Sequence, residues 1–271
     1  MAPVSTTAVT MPAAATPGPG LQNPMTPLVV PDAFGATFQG AIASGAKDAV
    51  AFAAEHTPDE KWLVDGWALL RMIWPPKAAE EAKELAYLHE VAKSRTQEQT
   101  VTARFYSEHG LTDAWEVILK EYQKSVGPAQ GKAGAKLLHD TLNMVNEITQ
   151  TAKAAALRER PFVKDPTLPL AVNKPGNSPS YPSGHTSAAV AAALVLSHLM
   201  PKRAKEFMDI ALQASWARVY AGVHFPSDVV AGTKLASTVA SYMVGISDVH
   251  TSAAARDRRS RRPRRVLRDA A

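Results

Sequence analysis

Pro182-Ser183-Gly184-His185, running directly into the small and apolar stretch Ala188 to Leu199, is the segment on which the reading of this chain turns. Proline suits the first turn of a helix or the residue just before it, where unpaired backbone N–H groups point outward. Such an N-terminus cradles anions: Gly184 lets the backbone approach an oxyanion without a Cβ in the way, and Ser183 adds a hydroxyl donor. His185, one residue on, is placed to protonate a leaving-group oxygen. Standing alone, the tetrapeptide reads first as a serine N-cap followed by a partly exposed histidine, so its neighbours decide.

Upstream, Lys153 and Arg160 are seven residues apart. On a helix expected from Gly131 to Arg160 they share one face, about 10 Å apart along the axis, where two long cations can converge on one anion. Arginine offers a planar fork matched to phosphate oxygens and lysine a compact charge. Downstream, Arg218, His224 and Asp228 follow at separations of six and four. Pro226 predicts a helix starting there and places His224 just before its N-terminus. A carboxylate that holds one imidazole nitrogen directs the other as a nucleophile.

From Asp32 onward apolar residues recur at three and four positions, which predicts an all-α domain. Expected helices run from Asp32 to Glu55, from Pro58 through Trp62, Trp67 and Ile73 to the stop at Pro75-Pro76, and from Lys77 to Arg95. Others run over Glu98–Ser107, Thr112–Val126, Gly131–Arg160, Ser183–Leu199, Lys202–Tyr220 and Pro226–Val244. A proline-rich loop over Phe162–Tyr181 precedes the helix that carries His185. The tryptophans at 62, 67 and 74 read as core, and His56, His89, His109, His139, His198 and His250 as surface or packing residues.

At 271 residues and 46% hydrophobic content the chain suits one large domain. Residues 1–31, rich in Ala, Pro, Thr and Gly, read as a disordered leader without the charged and apolar regions of a secretory signal. Residues 32–250 form the expected domain, and residues 251–271 an arginine-rich disordered tail. That tail holds eight arginines and two aspartates, a net of +6 against +5 for the whole chain. The basicity is thus confined to one end, and nucleic acid is not a required partner. No cysteine is present, which excludes disulfides and thiol-ligated metals. No window reaches the length of a membrane-spanning helix, so a soluble protein is expected, with the cytoplasm favoured by the N-terminus.

Taken together, Lys153-x6-Arg160-Pro161, Pro182-Ser183-Gly184-His185 and Arg218-x5-His224-x3-Asp228 resemble the type 2 phosphatidic acid phosphatase superfamily, which also contains the vanadium-dependent haloperoxidases. The nearest likeness is to class A nonspecific bacterial acid phosphatases, through Arg160-Pro161-Phe162, Ser180-Tyr181-Pro182-Ser183-Gly184-His185-Thr186-Ser187 and Ala193-Leu194-Val195-Leu196. The likeness covers about Lys153 to Ala231. One departure is Ala217, where the family writes serine before the arginine. The resemblance implies a single-domain helical bundle acting on a small phosphorylated molecule without a metal. Lys153, Arg160, Arg218, Ser183 and the Gly184 N–H would hold the phosphoryl oxygens. His224 would attack phosphorus, Asp228 would orient it, and a protonated His185 would serve the leaving group. Vanadate would inhibit, or serve as cofactor were the chain a haloperoxidase. A dedicated phosphatase for a lipid phosphate, an isoprenoid diphosphate or a phosphorylated biosynthetic intermediate, and a noncatalytic anion-binding protein, are the other readings. Family members of this size often form homodimers and are often exported to the periplasm.

Overall fold

The computed structural model describes residues 26–55, 78–109 and 113–260. Among them the fold is entirely helical: α1 (Asp32–Glu55), α2 (Ala78–Lys93), α3 (Gln97–His109), α4 (Asp113–Ser125), α5 (Pro128–Ala156), a single turn α6 (Pro161–Lys164), α7 (Gly184–Leu199), α8 (Ala204–Tyr220) and α9 (Pro226–Ser260). The helix expected from Pro58 and the three tryptophans at 62, 67 and 74 lie outside the described residues. No described helix is long and apolar enough to cross a membrane.

Helix α7 is the hub, packed against α5, α8 and α9. Its sequence explains the position. Ala189, Val190, Ala191, Ala192, Ala193, Val195 and Leu196 are all buried, so the helix is apolar around nearly its whole girth rather than along one stripe. Small side chains let neighbouring backbones come close. The closest approach is at Gly232 of α9, where a Cβ would lie 2.7 Å from the Ser183 carbonyl oxygen and 3.0 Å from Ser187 Oγ. Likewise Gly45 of α1 sits against α9, with room for no side chain beside the Lys234 carbonyl at 2.5 Å.

Three expectations need correction. Residues 26–31 are not part of a disordered leader: the Leu28 side chain is buried, its N–H donates to Gln213 Oε1 (2.8 Å), and Thr102 Oγ1 donates to the Thr26 carbonyl (2.7 Å). An apolar residue with a free backbone donor finds a ready groove, which leader composition alone does not disclose. The last helix does not stop at Val244 but continues to Ser260, ten residues into the segment assigned to the tail. Ala253-Ala254-Ala255 favours helix, Gly245 is carried within it, and no proline follows until Pro263.

The third correction shapes the site. Helix α5 ends at Ala156 instead of Arg160, because Leu157 adopts a left-handed conformation (φ 46°, ψ 30°) and donates its N–H back to the Lys153 carbonyl. Arg160 is extended (φ −74°, ψ 155°), the conformation that a following proline imposes. Lys153 and Arg160 therefore do not share a helical face. The chain leaves the helix between them and turns Arg158 and Arg160 independently into the interior.

Residues 165–183 form the expected loop. Arg95 donates to the carbonyls of Tyr220 (2.6 Å) and Pro169 (2.7 Å), and Arg104 to that of Ala171 (3.0 Å), so arginines take the place of the missing backbone ladder. At its far end Ser180 N–H donates to the Arg158 carbonyl (2.7 Å) and Ser183 N–H to the Asp228 carbonyl (2.9 Å). These two bonds tie the starts of α7 and α9 to the segment after α5.

Candidate active site

The N-terminus of α7 is capped by Ser183, whose Oγ accepts the Thr186 N–H (3.4 Å) and the Thr186 hydroxyl (3.0 Å). Its own hydroxyl proton is thereby left free to donate. Gly184 lies beside Lys153: a Cβ there would sit 4.0 Å from Lys153 Cε and 3.7 Å from Thr149 Cγ2. Lys153, from the last turn of α5, is buried with no carboxylate on its ammonium, which donates to the Pro179 and Ser180 carbonyls instead.

Arg160 enters from the opposite side, with Nε on the Ser178 carbonyl (2.9 Å) and one terminal nitrogen on the Val223 carbonyl (2.8 Å) and His224 Nε2 (3.0 Å). His224 is buried in the turn between α8 and α9. Its Nδ1 faces Asp228 Oδ2 at 3.2 Å, and since a carboxylate can only accept, the ring proton sits on Nδ1 and the Nε2 lone pair receives the arginine. Arg218, near the end of α8, donates to Ser107 Oγ (2.5 Å). The same residue's carbonyl accepts from His185 Nε2 (3.2 Å), so Ser107 at the end of α3 touches both groups.

Electrostatics agree with the geometry. Burial, then Arg160 and Arg218, hold the Lys153 ammonium down to about 7, with Asp228 opposing. Burial and Arg160 bring Arg218 down to about 9. Burial and then Arg218, Arg160 and Lys153 hold His185 at about 3, and His224 is pushed well below its usual value by burial and the same cations. Lys153 and Arg218 are thus each unfavourable as cations, through burial first and then the cations beside them. A pocket in which positive groups depress one another is one that an anion would stabilise.

Thus the structure gathers all eight residues singled out from sequence: Lys153, Arg160, Ser183, Gly184, His185, Arg218, His224 and Asp228. Besides separating Lys153 and Arg160 onto different elements, it surrounds His185 with burial and with Arg218, Arg160 and Lys153, which disfavour its charged form. Three polar groups were missed. Ser107 is remote in sequence and carries no motif. Ser180 donates to Asp228 Oδ2 at 2.5 Å. Arg158, two residues before Arg160, is buried and bonded to Asp228 Oδ1 at 2.6 Å. The odd arginine in a segment ending with an Arg-Pro pair was the available signal.

Ala217, which replaces a serine of the family pattern, is fully buried in the core beneath Arg218. Of the other histidines, His89 pairs with Asp165 (2.8 Å) and His139 with Glu116 (2.9 Å), both partly exposed. The side chains of His56 and His250 lie outside the described residues. No cluster of three or more histidine, aspartate and glutamate side chains forms among the described residues.

An all-α bundle that converges three cations, two histidines and a buried aspartate on one helix N-terminus defines a class, and residues 141–251 match the PAP2 superfamily. Similar proteins include the non-specific acid phosphatase of Salmonella typhimurium, 33% identical over 129 residues, which are 43% of this chain and 52% of that one. The acid phosphatase of Zymomonas mobilis is 32% identical over 139 residues, 48% of this chain and 52% of the relative. The chain spans about half the length of the curated relatives it matches. Its fold is similar to that of a transmembrane PAP2 type phosphatidylglycerolphosphate phosphatase from Bacillus subtilis, with a TM-score of 0.51 and 20% identity over 70% of this chain and 95% of the other.

Proposed function

We propose that this chain is a phosphatase that hydrolyses phosphate monoesters through a phosphohistidine on His224, without a metal. The observation that carries the reading is the His224 ring: Nδ1–H is held by Asp228, and Nε2 is turned toward Arg160, with Lys153 and Arg218 also acting on the ring. Phosphoryl oxygens would be held by Lys153, Arg160, Arg218, the Ser183 hydroxyl and the Gly184 N–H. As charge spreads over those oxygens in the transition state, fixed donors stabilise it where a magnesium ion otherwise would.

In the first step the Nε2 lone pair attacks phosphorus and the phosphorus–oxygen ester bond breaks. Its electron pair goes to the leaving oxygen, which takes a proton from His185. In the second, water gives a proton to His185 and attacks phosphorus, and the phosphorus–nitrogen bond returns its pair to Nε2. In the free pocket burial, then Arg218, Arg160 and Lys153, disfavour the charged form of His185. A bound phosphate dianion offsets Arg218, Arg160 and Lys153 and raises its proton affinity, so the substrate itself arms the acid.

Trapping with radiolabelled p-nitrophenyl phosphate tests the proposal. An acid-labile, alkali-stable phosphoenzyme should form with wild type and be absent from His224→Ala. Undiminished turnover by His224→Ala would overturn it. A panel setting aryl and sugar phosphates against amphiphilic lipid phosphates separates a general acid phosphatase from a dedicated lipid phosphatase.

A further inference from the structure

We propose that Arg158 is a positioning residue for the reaction: a fixed guanidinium that orients the Asp228 carboxylate and, through it, sets the proton on His224 Nδ1. The inference rests on the phosphohistidine reading above and extends it beyond the oxygen-binding cradle.

The geometry leaves Arg158 little freedom. Nε donates to Glu81 Oε2 (2.9 Å), one terminal nitrogen to Glu84 Oε2 (3.0 Å), and the other to Ser227 Oγ (2.8 Å) and Asp228 Oδ1 (2.6 Å). Its plane lies on the Phe225 ring, 3.9 Å from the centroid. Bonds along three edges and stacking on a face fix a guanidinium in both position and rotation. Glu84 also accepts the Ser227 N–H (2.6 Å) and hydroxyl (2.7 Å), so α2 clamps the arginine and the start of α9 together.

The consequence falls on the carboxylate. With Oδ1 taken by Arg158, Oδ2 alone receives the Ser180 hydroxyl (2.5 Å), the Phe225 N–H (2.9 Å) and His224 Nδ1 (3.2 Å). A carboxylate pinned at one oxygen cannot rotate away from the imidazole. Its charge is moreover shared with a cation, so it orients the ring without drawing its proton. The groups facing this pair are Arg158 and Ser180 around Asp228, with Glu81 and Glu84 behind, and Arg160, Lys153, Arg218 and His185 around His224.

A purely structural role for Arg158 would cost stability but not change the ring. The test is Arg158→Lys, which keeps a charge and loses the fork. kcat on p-nitrophenyl phosphate should fall about 10- to 100-fold with KM within about threefold of wild type. The acid limb of kcat/KM should move to higher pH, because Asp228 no longer shares its charge and His224 gains protons more readily. Imidazole ¹⁵N spectra should show one fixed Nδ1–H ring for His224 in wild type and averaging between tautomers in the variant. Should Arg158→Lys not fold, Glu81→Gln on α2 loosens the Nε contact, along with the Glu81–Lys164 ion pair (2.8 Å), while leaving the Arg158 bonds to Glu84, Ser227 and Asp228, and should lower kcat about threefold to tenfold, again at constant KM.

An unchanged His224 ring signal and unchanged kcat per folded molecule would overturn the assignment. So would a loss confined to KM. Wild type that neither turns over substrate nor forms phosphohistidine would instead defeat the phosphatase reading, while the ring spectra would still decide whether Arg158 governs the tautomer.

Discussion

Replacing Lys153 by methionine is expected to stabilise the free protein while abolishing its hold on phosphate. Lys153 is 4% exposed, has two backbone carbonyls as its only hydrogen-bond acceptors among the described residues, and faces Arg160 and Arg218. Its ammonium is held at about 7 against an ordinary 10.5. At about 1.4 kcal/mol for each factor of ten in protonation, the charged form is disfavoured by about 5 kcal/mol in the folded state. Because the folded value lies below the unfolded one, the unfolded chain binds more protons between about 7 and 10.5, so stability rises with pH across that window and the penalty is complete below it. Methionine has similar reach and no charge, but forfeits two hydrogen bonds worth about 1 kcal/mol each. The net gain is about 3 kcal/mol near pH 6, which for a domain of this size raises Tm by about 6 to 12 °C. Thermal unfolding at pH 6 and pH 10, with and without vanadate, reads it out. Wild type should gain from vanadate about 2.7 kcal/mol at a hundredfold excess over Kd, and the variant should gain almost nothing. A Lys153→Met protein less stable than wild type at pH 6, or a difference that stays constant up to pH 10, would refute the reasoning.

Three further outcomes are expected. His185→Ala should lower kcat for alkyl phosphates about 100-fold or more but for p-nitrophenyl phosphate far less, since that leaving group departs without a proton; equal losses on both would argue against an acid role. Gly232→Ala should destabilise by about 2 kcal/mol and weaken phosphate binding together, because its Cβ would press the Ser183 carbonyl at 2.7 Å. Calorimetry alongside inhibition constants measures both. EDTA should leave turnover intact and vanadate should inhibit competitively, whereas activity lost on chelation and restored by zinc would reassign His185, His224 and Asp228 as ligands.

The helical class was legible because burial imposes a period that local sequence must obey. Helix α1 begins and ends where the pattern places it, and α7 starts at Gly184 behind a serine cap, as Pro182-Ser183 implies. Gaps lie where the deciding contact is distant. The turn at Leu157 breaks α5 without a glycine or proline, and only the pull of Arg158 toward Glu81, Glu84 and Asp228 accounts for a leucine held there at positive φ. The charge expected on His185 followed from the role that the resemblance implies. Its actual state depends on three cations arriving from α5, α8 and the segment between α5 and α6.

By itself, then, the order of residues determined the helices, the chemical identity of the cations proposed to bind phosphate, and the histidine nearest a carboxylate, since each depends on neighbours within a few turns. Tertiary structure alone decided that Arg158 and Arg160, two residues apart, serve different masters, one behind Asp228 and the other at His224 Nε2. It also decided which protons are present, because the proton affinity of a buried group is set by the charges folded around it and not by those beside it in the chain.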